Sequence, residues 1–228
     1  MSLLLGLLFV GLVASPILNV TASQNITTNT VWSGSQVVDQ AVTVAQGATL
    51  TIAAGADIDI SEDITIIIQG NLVIEGTEEN PSEIYGTFRY PTSDRPVWQG
   101  FRVDSSGSAI IGQSVITHSR GGFDVAGDLS ITSGMSPLVE GAQIGYRIDG
   151  GTMSVPSDSS LRCSDSAIAC LSLTSTSVEV PLIEAVNSSS IALLNSGGNL
   201  TSLELIGDDI GIGVQIHSGA NLSVTNLN

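Results

Sequence analysis

The chain of 228 residues has no lysine, only six arginines and 22 acidic residues, for a formal charge of −16. A surface so short of cations cannot displace the counterions condensed on a polyphosphate, which excludes nucleic acid as a partner. The same shortage excludes adhesion to anionic lipid through a basic patch. Aromatic residues make up 4% of the chain although 42% is hydrophobic, so its apolar content is mainly Val, Ile, Leu and Ala. No window keeps apolar residues at helical spacing for more than a turn or two, which argues against a helical fold. The histidines, His118 and His217, are isolated in sequence and there are only two cysteines. A metal centre built on imidazole or thiolate is therefore not expected, and neither is a cofactor.

Long hydrophobic runs are also missing. Leu3 to Val13 is apolar but falls well short of the ~20 residues that span a bilayer. It has the length of a secretory signal core, and Val20-Thr21-Ala22 supplies the small-residue pattern for cleavage. Residues 1–22 are read as a signal peptide, with a mature chain starting at Ser23, secreted or on the cell surface and not inserted in the membrane. No Lys or Arg precedes the run, so an uncleaved anchor is the alternative. In an exported chain, Cys163 and Cys170 are expected to form a local disulfide, two buried thiols being the alternative. Asn-x-Ser/Thr sequons stand at Asn19, Asn25, Asn187, Asn199 and Asn221, where they matter only if the host glycosylates exported proteins.

What the chain does contain is a rhythm. Val42-Thr43-Val44, Leu50-Thr51-Ile52, Ile58-Asp59-Ile60, Ile64 to Ile68 and Leu72-Val73-Ile74 are short runs, most of them alternating, separated by turn-formers such as Gln46-Gly47-Ala48 and Gln69-Gly70-Asn71. Each predicts one brief strand with one buried face. The pattern returns in Ala109 to Gly112, Val115 to Thr117, Phe123 to Ile131, Ile144 to Ile148 and on to Ile216. The spacing fits rungs of roughly 20 to 25 residues, the short end of known repeat periods. One such rung cannot bury its inward side chains alone, but neighbours above and below can cover them. The fold class predicted is all-β, a right-handed parallel β-helix, with a pair of β-sandwiches as the competing architecture. Residues 23–40 are read as a polar leader and N-terminal cap, and 41–228 as rungs. Asn221 to Asn228 still carries the strand pattern, so the stack is expected to be incomplete or covered by a partner.

Gln69-Gly70-Asn71-Leu72-Val73-Ile74-Glu75-Gly76-Thr77-Glu78-Glu79-Asn80-Pro81 resembles a signature of right-handed parallel β-helices of the pectate-lyase-like superfamily. Trp98-Gln99-Gly100-Phe101 is similar to the rung that usually follows it. Ser82 stands where that group usually has an apolar residue. The resemblance implies the coil architecture and is nearly silent about activity, because the group includes lyases, hydrolases and adhesins. It would place a catalytic site on one outward sheet. The Gly-His-Gly turn of family hydrolases and the paired-arginine motif of the lyases are both missing, and Asp208-Asp209 lacks its companions.

Three groups of residues remain. Asp57, Asp59, Glu62 and Asp63 offer oxygens of the kind calcium prefers, but without a calcium-loop spacing they read as a solvated face. Glu75, Glu78, Glu79 and Glu83 read as a solvated loop. The stretch from Tyr85 to Trp98 breaks the rhythm and concentrates rings beside Arg89 and Arg95, with Arg102 close behind. Arg89, Tyr90, Arg95 and Arg102 are the candidate ligand-binding residues, since a projecting loop could stack on sugars while arginine pairs with carboxylates. The bland alternative is a linker between coils. The expected function is that of a non-catalytic scaffold, adhesin-like or glycan-binding module, with glycans or surface proteins as partners. A polysaccharide lyase or hydrolase is the alternative.

Overall fold

The computed structural model describes residues 23–86 and 98–227. The chain winds as a parallel β-solenoid of about nine turns, and every strand pair is parallel. Sheet A stacks β1 (Gln24–Ile26), β4 (Val42–Val44), β7 (Thr65–Ile68), β10 (Gly100–Val103), β13 (Gly121–Val125), β16 (Ile144–Asp149), β19 (Ala169–Thr174), β21 (Ser190–Leu194) and β23 (Ile212–Ile216). Sheet B stacks β2 (Thr30–Trp32), β5 (Thr49–Ile52), β8 (Asn71–Ile74), β11 (Ser108–Ile111), β14 (Asp128–Ile131) and β17 (Thr152–Ser154). Sheet C stacks β3 (Ser35–Val38), β6 (Asp57–Ile60), β9 (Ser82–Gly86), β12 (Ser114–Thr117), β15 (Leu138–Glu140), β18 (Ser160–Ser164), β20 (Ser177–Val186), β22 (Asn199–Asp208) and β24 (Asn221–Leu227). Residues 24–38 thus supply one strand to each sheet and form the terminal coil of the described stack.

The alternation in the sequence becomes inside and outside. Leu50 and Ile52 are fully buried, and they register on Leu72 and Ile74, which in turn register on Ala109 and Ile111. Stacked columns of this kind make one core running the length of the solenoid. Each fully buried Leu or Ile contributes about 1.5–3 kcal/mol, and the ladders between coils satisfy the backbone groups that burial would otherwise orphan. The motif residues fold into a tight loop, where Thr77 and Asn80 exchange backbone hydrogen bonds of 3.1 Å in both directions. Gly76 is obligatory there, because a Cβ would sit 1.9 Å from the Gln113 carbonyl oxygen. Ser82 is buried at the apolar position and donates its Oγ proton to Ala53 O at 2.9 Å.

Two features shape the outer surface. At the corner leading from sheet C to sheet A, Asp63, His118, Gly141, Asp165, Asn187 and Asp209 all take left-handed backbone. Asp, Asn and Gly tolerate that conformation better than other residues. Sheet B ends at β17, and β20 and β22 each run for ten residues. The last coils therefore replace two short strands and a turn by one long strand each, and the pairing of β20 with β22 skips Pro181 and Leu203.

Candidate functional site

Of the four residues singled out in the sequence, Arg89, Tyr90 and Arg95 lie outside the described residues. Arg102 is described, and its surroundings define the site. It stands on the outer face of β10, where its register partner is Asp124 on β13, and Asp124 registers on Arg147 of β16. Beside this column, at the corner where the strands begin, lies a second one formed by Gln99, Arg120 and Gln143. Gly121 N donates to Gln99 O at 3.3 Å and Gln143 N to Arg120 O at 2.9 Å, which fixes their order. The two columns border a shallow cavity of about 290 Å³. Among the described residues, three arginines line it, with Asp124 as the only carboxylate.

The floor explains why a cavity exists here. Gly100, which is buried, and Gly121 line the cavity without side chains, and a Cβ on Gly100 would lie 1.7 Å from Gly121 O, at a φ of +101°. Behind the floor, the inward residues of the same strands form an aromatic stack. Trp98 meets Phe101 edge-on at 5.3 Å, Phe101 stacks on Phe123 at 5.2 Å, and Phe123 stacks on Tyr146 at 5.8 Å. Trp98 is fully buried, with its indole N–H donating to Thr117 O at 3.0 Å. A floor backed by packed rings holds the arginine-bearing strands at fixed separation.

The charges on this face are partly matched. Arg102 Nε lies 2.9 Å from Asp104, and Arg147 reaches Asp124 at 3.7 Å. Both pairs are about half exposed, a setting in which an ion pair is worth at most about 1 kcal/mol. They can open toward a ligand at little cost. Arg120 is exposed and forms no ion pair with another described residue. A second groove of about 730 Å³ runs past Pro181 and Leu203 of sheet C and has the opposite character. Glu78, Asp158, Glu184 and Glu204 line it with a single arginine, Arg162, already bound to Glu184 at 3.0 Å.

The remaining candidates disperse. Asp57 and Asp59 both point outward from β6, while Asp63 sits at the corner and accepts a hydrogen bond from Gln99 at 3.0 Å. Glu75, Glu78, Glu79 and Glu83 are exposed. Among the described residues, no group of three or more His, Cys, Asp or Glu is placed to hold a metal ion. Cys163 and Cys170 are joined by a disulfide across the corner between β18 and β19. Sequence reasoning missed Arg120 and Arg147. The signal that finds them is register: with the rungs aligned, Arg102, Asp124 and Arg147 fall in one column, and Gln99, Arg120 and Gln143 in the one beside it.

No protein-family model matches the chain, and neither a curated protein nor a solved structure matches it significantly.

Proposed function

We propose that this chain is an exported, non-catalytic β-helix that binds an acidic glycan along the arginine-lined face of sheet A. The observation that carries the reading is the convergence of Arg102, Arg120 and Arg147 on one cavity of a chain whose net charge is −16. Arginine is suited to that role because its planar fork matches a carboxylate or sulfate in two hydrogen bonds. The coil motifs at Gln69 to Pro81 and Trp98 to Phe101 support a place in the pectate-lyase-like superfamily. The apolar run at Leu3 to Val13 and the disulfide support export, since such bridges persist in oxidising compartments.

The enzyme reading finds less support at this face. Hydrolysis by the usual pair of carboxyl groups requires two acids flanking the bond, and among the described residues Asp124 is the only one lining the cavity. The test is a binding screen of the exported chain against acidic and neutral glycans, run beside an Arg102→Gln/Arg147→Gln double variant. Wild type is expected to retain acidic glycans alone, and the double variant to bind them at least about tenfold more weakly, as expected when charge-assisted hydrogen bonds are lost. Wild type that binds no acidic glycan overturns the proposal. Release of shortened or unsaturated sugar products during the assay would overturn its non-catalytic part.

A further inference from the structure

The groove beside Pro181 and Leu203 follows from the way the last coils are built. Up to β18 each coil turns a corner between sheets B and C, whereas β20 and β22 run straight through that place. Along both long strands the alternation slips by one. In β20, Val180 and Ile183 are buried and the two residues between them, Pro181 and Leu182, are not; in β22, Ser202 and Leu205 are buried around Leu203 and Glu204. Strict alternation would turn only one of two neighbours outward, so the slip adds an outward residue to each coil. What it adds is largely apolar, and Leu203 is 57% exposed.

The groove runs from Glu78 to Asn226 across seven coils of sheet C, which at ~4.8 Å per coil is about 29 Å. Its rims carry charge of one sign. Glu78 and Asp158 stand on the corner side and Glu184 and Glu204 on the sheet side, and among the described residues the one lining cation, Arg162, is already paired with Glu184. Hydrogen bonds from Ser133 and from the Gly134 backbone hold the Asp158 carboxyl below the usual carboxylate range, so it is ionised at neutral pH. We infer that this groove is a docking site for an extended cationic peptide with apolar side chains, supplied by a partner protein. At ~3.4 Å per residue, about eight residues of extended chain fill its length. Alternate side chains of such a segment lie on Pro181, Leu182 and Leu203, while neighbouring lysine or arginine stems lean toward the rims and set their charge against the carboxylates. A second copy of this chain is a poor source of the segment, since it has no lysine and three of its six arginines line the sheet A cavity. The two sites share no lining residue, so this inference stands or falls apart from the glycan reading.

The test is a calorimetric titration of the full chain with two octapeptides of equal charge, one alternating Lys with Leu and one alternating Lys with Ser. It is run at about 0.15 M salt, where distant exposed charges are largely screened. Wild type is expected to bind the Lys–Leu peptide at least about tenfold more tightly than the Lys–Ser peptide, because only the first covers the apolar floor. Glu78→Gln/Asp158→Asn should weaken the Lys–Leu peptide about tenfold. Asp39→Asn/Glu62→Gln removes two carboxylates outside the groove and should leave affinity within about twofold. Leu203→Ser should bring the two peptides to within about threefold of each other. All five side chains are exposed, so circular dichroism and thermal midpoint should match wild type. If the two carboxylate variants lose affinity equally, or if wild type binds both peptides alike, only the general attraction of an acidic surface is at work and the inference falls. Wild type that binds neither peptide overturns it as well.

Discussion

Tyr146 lies wholly inside the solenoid, stacked on Phe123, and its hydroxyl donates to Pro137 O at 3.1 Å. Burial pushes the phenol's pKa well above 10.0, with the nearby Arg162 pulling weakly the other way. The native state therefore keeps its proton while the unfolded chain gives it up near pH 10. Stability that is fully present below pH 10 is expected to fall as pH rises beyond it. Tyr146→Phe should cost about 1 kcal/mol at neutral pH, the net value of one hydrogen bond, and remove Tyr146's share of that alkaline loss. Denaturant melts of both proteins at pH 7 and pH 11 check it. Trp98 behaves differently, because its whole indole fills the core under the arginine face. Trp98→Ala should destabilise by about 3–5 kcal/mol, the range for large aromatic truncations, and weaken glycan binding only through the lost support of β10.

Between β18 and β19 the corner is tied by the disulfide, which closes a sequence separation of 7 residues. Constraining so short a loop is worth about 2–3 kcal/mol in the chain-entropy account. Gly145, at the start of β16, lies directly against it: a Cβ would come 2.6 Å from Cys163 Sγ and 2.8 Å from Cys170 O. Neither neighbour can step aside, since one is bonded and the other is backbone. Gly145→Ala is expected to cost about 1–3 kcal/mol by overpacking. In a Cys163→Ala/Cys170→Ala background the cost should shrink without vanishing, because the carbonyl contact remains. A double-mutant cycle by chemical denaturation measures that coupling.

The strands themselves were legible because period-two alternation and corner glycines are local signals, and Val42-Thr43-Val44 or Leu72-Val73-Ile74 state their own buried face. Register was not. Ile66 faces Phe101 across a gap that includes residues 87–97, whereas Phe101 faces Phe123 one ordinary coil later. That irregular step hides the column of Arg102, Asp124 and Arg147 from a reader scanning for clusters along the chain. The fusion of two strands into β20 was equally hidden, because Ser177 to Val186 alternates on either side of Pro181 in a way that suits one long strand or two short ones.

Across the whole molecule, 22 acidic groups face six arginines, and three of those arginines are spent on one cavity. The rest of the surface repels itself, which costs stability most when salt is low. At about 0.01 M salt the screening length is roughly 30 Å, comparable with the protein, and at 1 M it is about 3 Å, shorter than the gap between adjacent coils. Raising salt over that interval should therefore raise the thermal midpoint. Binding of an acidic glycan should move the other way, since the attraction at the arginine face is screened by the same ions. Opposite slopes for thermal midpoint and affinity, recorded on one salt series, are the expected result. A midpoint that falls with salt would mean that the exposed pairs of Arg102, Arg147 and Arg162 outweigh the general repulsion. An affinity that holds steady would place the ligand somewhere other than on the arginine face.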